Sequence, residues 1–184
     1  MKNKILIILI ISVFLVFLTV VSIYSNINKK GVYNMKVTSN SFQNNTLIPI
    51  EHAYTYCGGK NVSPDLKWDD IPADTKSFAI IVHDPDAPRA NGWYHWLVVD
   101  IPADKTSIEK GEKISGAREL KNDFQQTSYG GPCPPSGQHR YNFSIYALDV
   151  EKLDVSENDL PKTVEQIVIK HSIGKAVLTG LYKH

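Results

Sequence analysis

The sequence predicts a mainly β fold, a β-sandwich with one or two short helices, preceded by a hydrophobic N-terminal helix. Three observations favour this fold. Short β-branched and aromatic runs are separated by Gly and Pro. In one segment, successive residues would lie on opposite faces of a strand, and a single clear helical pattern occurs. A parallel doubly wound sheet would need a helix between most of its strands, and the sequence does not supply them.

A hydrophobic segment begins the chain. Two lysines precede an apolar run from Ile5 to Tyr24, which contains no charged residue. A run of about 20 apolar residues is long enough to cross a membrane as a helix. We therefore predict that residues 1–30 are a signal anchor or a cleaved signal peptide with a linker. Residues 31–184 would then form one domain outside the cytoplasm, either membrane-anchored or secreted.

The predicted domain is mildly acidic. Residues 31–184 carry 16 Lys and Arg against 19 Asp and Glu, because segment 1–30 holds four lysines and no acidic residue. A nucleic-acid-binding domain needs a basic patch that follows the phosphate backbone. The charge balance therefore argues against a nucleic-acid partner.

Three segments carry the strongest strand signals. Residues 77–83 are almost continuously apolar, which is typical of a strand covered on both faces. Residues 93–101 are rich in aromatic and β-branched side chains. From His139 to Ala147 the residues alternate, so that His139, Tyr141 and Phe143 would share one face of a strand. Weaker strand signals lie at 35–39, 47–51, 65–69 and 176–182.

One helix is predicted near the C-terminus. Pro161 would begin it, since proline suits the first helical position, and Gly174 would follow its end. The side chains that recur at helical spacing between these two residues are Val164, Ile167, Val168 and His171.

Cys57 and Cys133 are the two cysteines of the chain. In an exported domain a disulfide between them would persist. Two small, partly buried thiols would fit the sequence equally well, because spacing alone does not bring two Cα atoms together. The sequence leaves both alternatives open.

Ionisable residues concentrate at the ends of the predicted strands. Asp84 and Asp86 lie in Asp-Pro-Asp-Ala-Pro, directly after the apolar strand, where the prolines end the strand and stiffen the turn. His95 lies between aromatic residues in Trp-Tyr-His-Trp, and a buried imidazole there would need a hydrogen-bond partner. Each motif alone is more typical of an ordinary turn or a structural histidine than of a functional site.

A loop rich in Gly and Pro covers residues 130–137 and leads directly into His139 and Tyr141. Such a loop has a rigid shape and exposes backbone N–H groups. Together with the two strand ends above, it gathers residue types that bind small anions.

These motifs resemble the signature regions of the phosphatidylethanolamine-binding protein family, in its bacterial and archaeal Raf-kinase-inhibitor-like branch. The resemblance rests on Asp-Pro-Asp-Ala-Pro at 84–88, on His95, and on Gly-Pro-Cys-Pro-Pro-x-Gly-x-His-Arg-Tyr at 131–141. Asn-Val-Ser-Pro at 61–64 adds to it, and the match covers roughly residues 36–183.

The resemblance implies a Greek-key β-sandwich with a small pocket that binds phosphate, phosphoethanolamine headgroups and similar anions, with no cofactor. Imidazole and phenol groups and loop N–H groups would hold the anion. A nearby carboxylate would raise a histidine pKa, so that binding would fade as the pH rises. The matching positions imply these ligand-binding residues: Asp84, Asp86, Pro88, His95, Gly131, Pro132, His139 and Tyr141.

The leading functional hypothesis is a non-catalytic binding module, an inhibitor or modulator of a partner protein such as a secreted protease, or a binder of phospholipid headgroups. One alternative is a metal-assisted hydrolase that uses the Asp/His cluster, since carboxylate and imidazole suit several divalent ions. Another is a structural envelope protein with a vestigial pocket. The apolar segment Ile167–Leu181 could also support a homodimer.

Overall fold

The computed structural model describes residues 31–183, which contain ten strands, one α-helix and two 3-10 helices. The predicted hydrophobic helix and the domain boundary at residue 30 lie outside the described residues. No helix within 31–183 combines the length and the apolar character needed to cross a membrane. The strands are β1 (Tyr33–Asn34), β2 (Lys36–Thr38), β3 (Thr46–Leu47), β4 (Leu66–Asp69), β5 (Ser77–Asp84), β6 (Trp93–Pro102), β7 (Ser107–Ile108), β8 (Arg118–Leu120), β9 (Gln138–Leu148) and β10 (Ser172–Lys183), and the α-helix is α1 (Pro161–His171).

Two sheets make up the fold. The larger has seven strands in the order β1-β10-β9-β5-β6-β8, with β3 also paired to β10, and the smaller is β2-β4-β7. Within the larger sheet, β5, β6 and β8 are successive antiparallel neighbours, and β9 returns to lie beside β5. A fourth strand that returns beside the first is the Greek-key arrangement. The predicted mainly β, Greek-key fold is therefore confirmed.

The main hydrophobic core lies between the two sheets. Trp68 of the small sheet is fully buried and meets the ring of Phe78 edge-on, with ring centroids 5.5 Å apart. Phe42 packs on Phe143 in the same core, at a centroid distance of 5.4 Å. Edge-on and tilted aromatic pairs of this kind add to the burial of apolar area. The sequence of β5 is continuously apolar because the core covers one face of this strand and its outer face is covered as well.

The helix α1 covers that outer face. Val164 and Val168 are fully buried against Tyr146 and Leu148 of β9 and against neighbouring residues of β5 and β6. The alternating pattern of β9 therefore holds only in its first half. From Ser144 onward both faces of β9 are buried, one by the core and one by the helix.

The predicted start of the helix at Pro161 is confirmed, and Gly174 follows its end as predicted. The chain passes directly from His171 into β10 at Ser172, so Gly174 lies within a strand. A Cβ atom at Gly174 would lie 2.9 Å from the Met35 sulfur and 2.9 Å from the side chain of Pro72. The glycine thus permits close packing across β10 and does not end the helix.

The predicted strand at 47–51 is largely wrong. The strand β3 ends at Leu47, and Pro49 precedes a 3-10 helix over Ile50–His52. Proline has no N–H to donate to a strand ladder, which explains why the pairing stops there. The strands β1, β7 and β8 were not predicted, since two or three residues are too few to show a periodic pattern.

In β10, alternate residues from Ser172 to Tyr182 are buried, whereas Val177 on the other face is exposed. Ile169 on α1 is exposed as well. The segment Ile167–Leu181 thus leaves two large apolar side chains at the surface. Dimer formation through this segment stays a prediction.

We expect Phe143→Ala to destabilise the domain by roughly 3–5 kcal/mol, because a fully buried ring between the sheets would leave a cavity. Val177→Ala, in the exposed position on β10, should change the stability by no more than about 0.5 kcal/mol. Guanidinium unfolding followed by tryptophan fluorescence measures both. Equal effects of the two substitutions would contradict the assignment of the core.

Candidate functional site

A cavity of about 300 Å³ opens at the end of the sandwich where β5 ends and where β6 and β9 begin. Four of the predicted ligand-binding residues line it, and the other four do not. The lining residues among them are Asp84, Pro88, His95 and Tyr141. The remaining four lie outside the lining and hold it in place. They are Asp86, Gly131, Pro132 and His139.

Asp84 is the last residue of β5 and is only 3% exposed. The Nδ1–H group of His139 on β9 donates to its Oδ2 at 2.7 Å, and the backbone N–H of Asp86 donates to its Oδ1 at 2.8 Å. A buried carboxylate is tolerated when both oxygens are paired in this way. His139 therefore orients Asp84 and does not itself line the cavity.

Asp86 lies outside the cavity, where Arg140 holds it in a bidentate pair. The Arg140 Nη2 donates to Oδ1 at 2.6 Å, and its Nε and its backbone N–H both donate to Oδ2 at 2.9 Å. The Arg140 hydrogen bonds lower the pKa of Asp86 to about 2. This pair joins the turn after β5 to the start of β9.

His95 is buried in the cavity wall, and its Nδ1–H donates to the backbone carbonyl of Gly130 at 2.6 Å. Burial lowers the pKa of His95 to about 4, and this effect outweighs the opposing influence of the Asp84 charge. The expectation that a carboxylate would keep this imidazole charged is therefore wrong for His95. The neutral ring leaves Nε2 as a hydrogen-bond acceptor.

Tyr141 on β9 lies edge-on to the His95 ring, with centroids 5.1 Å apart. Its hydroxyl is buried without a well-formed hydrogen bond to another described residue. Burial raises the pKa of Tyr141, and the charge of Asp84 acts in the same direction. Tyr141 is thus a neutral phenol beside the buried carboxylate.

Gly131 and Pro132 are part of the support of the cavity and not of its lining. The Gly131 N–H donates to the Asn61 side chain at 2.7 Å, and the Pro132 carbonyl accepts from the Tyr54 N–H at 3.1 Å. A Cβ atom at Gly131 would lie 2.1 Å from the carbonyl oxygen of His52, so only glycine fits there. The N–H that was expected to hold an anion is therefore already bonded to protein.

Of the two alternatives left open for the cysteines, the structure contains the disulfide. Cys57 and Cys133 are bridged, with their Cα atoms 5.6 Å apart. Cys133 itself lines the cavity. The bridge fastens the Gly/Pro loop to the 3-10 helix over Thr55–Cys57.

Several lining residues were not predicted. Arg89 directly follows the Asp-Pro-Asp-Ala-Pro motif and Trp93 begins Trp-Tyr-His-Trp, and the Arg89 guanidinium lies 4.3 Å from the centroid of the Trp93 ring. Phe124 lies far from the motifs in sequence and is held by stacking on Tyr54 at 4.8 Å. The other lining residues that were missed are Ala87, Cys133, Pro134 and Pro135.

Phe124 is positioned by the fully buried Asn122. The Asn122 Oδ1 accepts from the backbone N–H of Phe124 at 2.9 Å, and its Nδ2 donates to the backbone carbonyl of His95 at 3.0 Å. One amide thus fixes two walls of the cavity. No spacing rule in the sequence indicates this role.

The hydrolase hypothesis would draw its metal ligands from Asp84, Asp86, His95 and His139. Asp84 pairs with His139, Asp86 pairs with Arg140, and His95 uses Nδ1 on a carbonyl. Within residues 31–183, no group of three or more His, Cys, Asp or Glu side chains is arranged to hold a metal ion.

Comparisons with known proteins agree with the fold and the motifs. A family model described as phosphatidylethanolamine-binding protein matches residues 38–183. Protein YbhB of Escherichia coli is 40% identical over 157 residues, which cover 80% of this chain and 99% of the relative. The crystal structure of E. coli YbcL aligns with a TM-score of 0.78 at 38% identity, over 82% of this chain and 98% of that one. A phosphatidylethanolamine-binding protein homologue of Chlamydia trachomatis aligns with a TM-score of 0.73 at 34% identity, over 82% and 98%.

The depressed pKa of His95 predicts a pH-dependent stability. Between about pH 6.5 and pH 4 the unfolded chain binds a proton at this residue that the folded chain excludes. The free energy of unfolding should therefore fall as the pH drops through this window, by on the order of 3 kcal/mol. In His95→Asn, whose amide can still donate to the Gly130 carbonyl, this loss should be absent. Guanidinium unfolding of both proteins at pH 7 and pH 4.5 measures the fall in the free energy of unfolding. An equal fall in both proteins would contradict the lowered pKa of His95.

Proposed function

Because the chain belongs to the phosphatidylethanolamine-binding protein family, we propose that it is a non-catalytic binding module whose cavity takes a small phosphate-bearing headgroup such as phosphoethanolamine. Proteins of this family are generally binding proteins. The charges and hydrogen-bonding groups of the cavity support this kind of ligand.

The observation that carries the proposal is the opposite charge of two residues in one cavity. Asp84 is buried at its inner side, whereas Arg89 is exposed at its mouth. A ligand with a cationic and an anionic end would match this order of charges. A phosphate group alone, placed beside Asp84, would be repelled.

The inner part of the cavity suits an ammonium group. Neutral His95 offers Nε2 as an acceptor, and the Asp84 carboxylate adds negative charge. The rings of Trp93 and Phe124 form walls, meeting edge-on with centroids 5.2 Å apart. Aromatic faces attract cations, and the effect grows as water is excluded.

The mouth of the cavity suits a phosphate. Arg89 has a planar guanidinium, which binds phosphate oxygens through paired hydrogen bonds. Arg140 is committed to Asp86, which leaves Arg89 as the arginine that lines the cavity among the described residues. Arg89 therefore takes the role that backbone N–H groups were expected to play.

We expect O-phosphoethanolamine to bind the full-length chain with millimolar to high-micromolar affinity, worth about 4–6 kcal/mol. NMR titration should show amide shifts confined to 84–95, 124 and 130–141. Arg89→Gln should weaken binding tenfold or more, since a hydrogen bond to a charged group is lost. Ethanolamine, which lacks the phosphate, should bind equally to both proteins.

The matched control is Lys170→Gln, which removes one positive charge from an exposed position on α1 and should leave the affinity unchanged. Absence of shifts at tens of millimolar would overturn the proposed function and favour a vestigial cavity. Inorganic phosphate that binds as well as phosphoethanolamine would overturn the role of Asp84 as the partner of an ammonium.

We also propose that the domain lies outside the cytoplasm. The hydrophobic run from Ile5 to Tyr24 supports this location, and so does the disulfide, since such bonds persist in oxidising compartments. In intact cells a membrane-impermeant maleimide should label the wild-type chain only after treatment with a membrane-impermeant reductant. Cys57→Ser should be labelled at Cys133 without reduction. Labelling that requires cell lysis would place the domain in the cytoplasm.

A further inference from the structure

The disulfide and the ligand cavity share a wall. Cys133 lines the cavity together with Pro134 and Pro135, and its sulfur is bonded to Cys57. Both cysteines are only half-buried, so a reductant can reach the bridge. A change in this bond therefore acts on a lining residue directly.

The wall has few other attachments near the bridge. Pro134 and Pro135 have no N–H to donate, and Gly137 adopts a left-handed conformation (φ 71°) before β9 begins. The backbone hydrogen bond that joins the loop to the segment before Cys57 runs from the Tyr54 N–H to the Pro132 carbonyl, at 3.1 Å. The bridge is the covalent connection between the loop and that segment, and it adds to the close packing of Gly131 on His52.

The same segment supports a second wall. Tyr54, three residues before Cys57, stacks on Phe124, which lines the cavity beside Trp93 and His95. Loosening of the segment would therefore reach Phe124 as well. The two hydrophobic cores contain neither cysteine, so we expect the sandwich to stay packed when the bridge is broken.

We propose that the Cys57–Cys133 disulfide is a redox switch of the cavity: its reduction by a dithiol frees the wall formed by residues 133–135 and weakens ligand binding, while the sandwich stays folded. A thiolate of the reductant attacks one bridge sulfur, which breaks the S–S bond and forms a mixed disulfide. The second thiol of the reductant then displaces the protein sulfur. Two electrons and two protons remain on Cys57 and Cys133 as thiols, and the reductant leaves as a disulfide.

The affinity part of this inference rests on the proposed ligand. By linkage, the factor by which reduction weakens binding equals the factor by which saturating ligand favours the disulfide over the dithiol. We expect both factors to be tenfold or more. The freeing of the wall does not depend on any ligand and can be measured alone.

The test compares the full-length chain in oxidised form, in dithiothreitol, and as the double variant Cys57→Ser/Cys133→Ser. Three backbone amides should exchange with solvent at least tenfold faster in the reduced chain and in the variant than in the oxidised chain. They are the amides of Tyr54, of residue 57 and of Gly58. Amides of β5 and β9 should keep their protection, and the affinity for O-phosphoethanolamine should fall tenfold or more. Dithiothreitol should have no effect on the double variant, which controls for the reductant itself.

Unchanged exchange at Tyr54 and Gly58 after reduction would overturn the inference, and so would equal affinity of the oxidised and reduced chains. Loss of protection throughout β5 and β9 would overturn it too, because the bridge would then hold the whole domain. If the oxidised chain does not bind O-phosphoethanolamine, the proposed function fails, while the exchange measurement still decides whether the bridge controls the wall.

Discussion

The buried carboxylate of Asp84 is the constraint from which the geometry of the cavity follows. An ionised group with so little exposure is stable only if protein donors replace the water it loses. His139 supplies one donor from β9 and the backbone of Asp86 supplies the other, so the end of β5 and the start of β9 must meet at one register. The pair of Asp86 with Arg140 fixes the turn in the same position. These contacts connect two of the sequence motifs in space, and both His95 and Tyr141 lie close to the same carboxylate.

Much of the fold could be predicted because its strands have simple environments. The apolar run at 77–83 and the alternation after His139 both reflect how many faces of each strand are covered. The point at which the alternation fails, Ser144, depends on where α1 packs, and no local pattern contains that information. The short strands β1 and β3 are fixed by their pairing with β10, and the 3-10 helix after Pro49 follows from a missing donor, so neither depends on periodicity.

The candidate site, like the fold, could be predicted from the sequence only in part. The motifs that contain Asp84, His95 and Tyr141 indicated the end of the sandwich at which a cavity forms. The motifs could not distinguish a lining residue from its support, which depends on the direction of each side chain. Phe124 is placed by the tertiary contacts of Asn122 and Tyr54, which no motif includes. The protonation state of His95 depended on the balance between burial and a nearby charge, and only the actual depth of the ring decides that balance.

The position of β10 in the sheet has a consequence for how the chain assembles during synthesis. The short strands β1 and β3 near the start of the domain pair in parallel with β10, the last strand within residues 31–183. Because β10 is synthesised after every other described strand, β1 and β3 must wait unpaired until β10 has left the ribosome. Pairings between distant segments also slow folding. The unpaired edges of β1 and β3 are therefore open to aggregation for as long as β10 is missing.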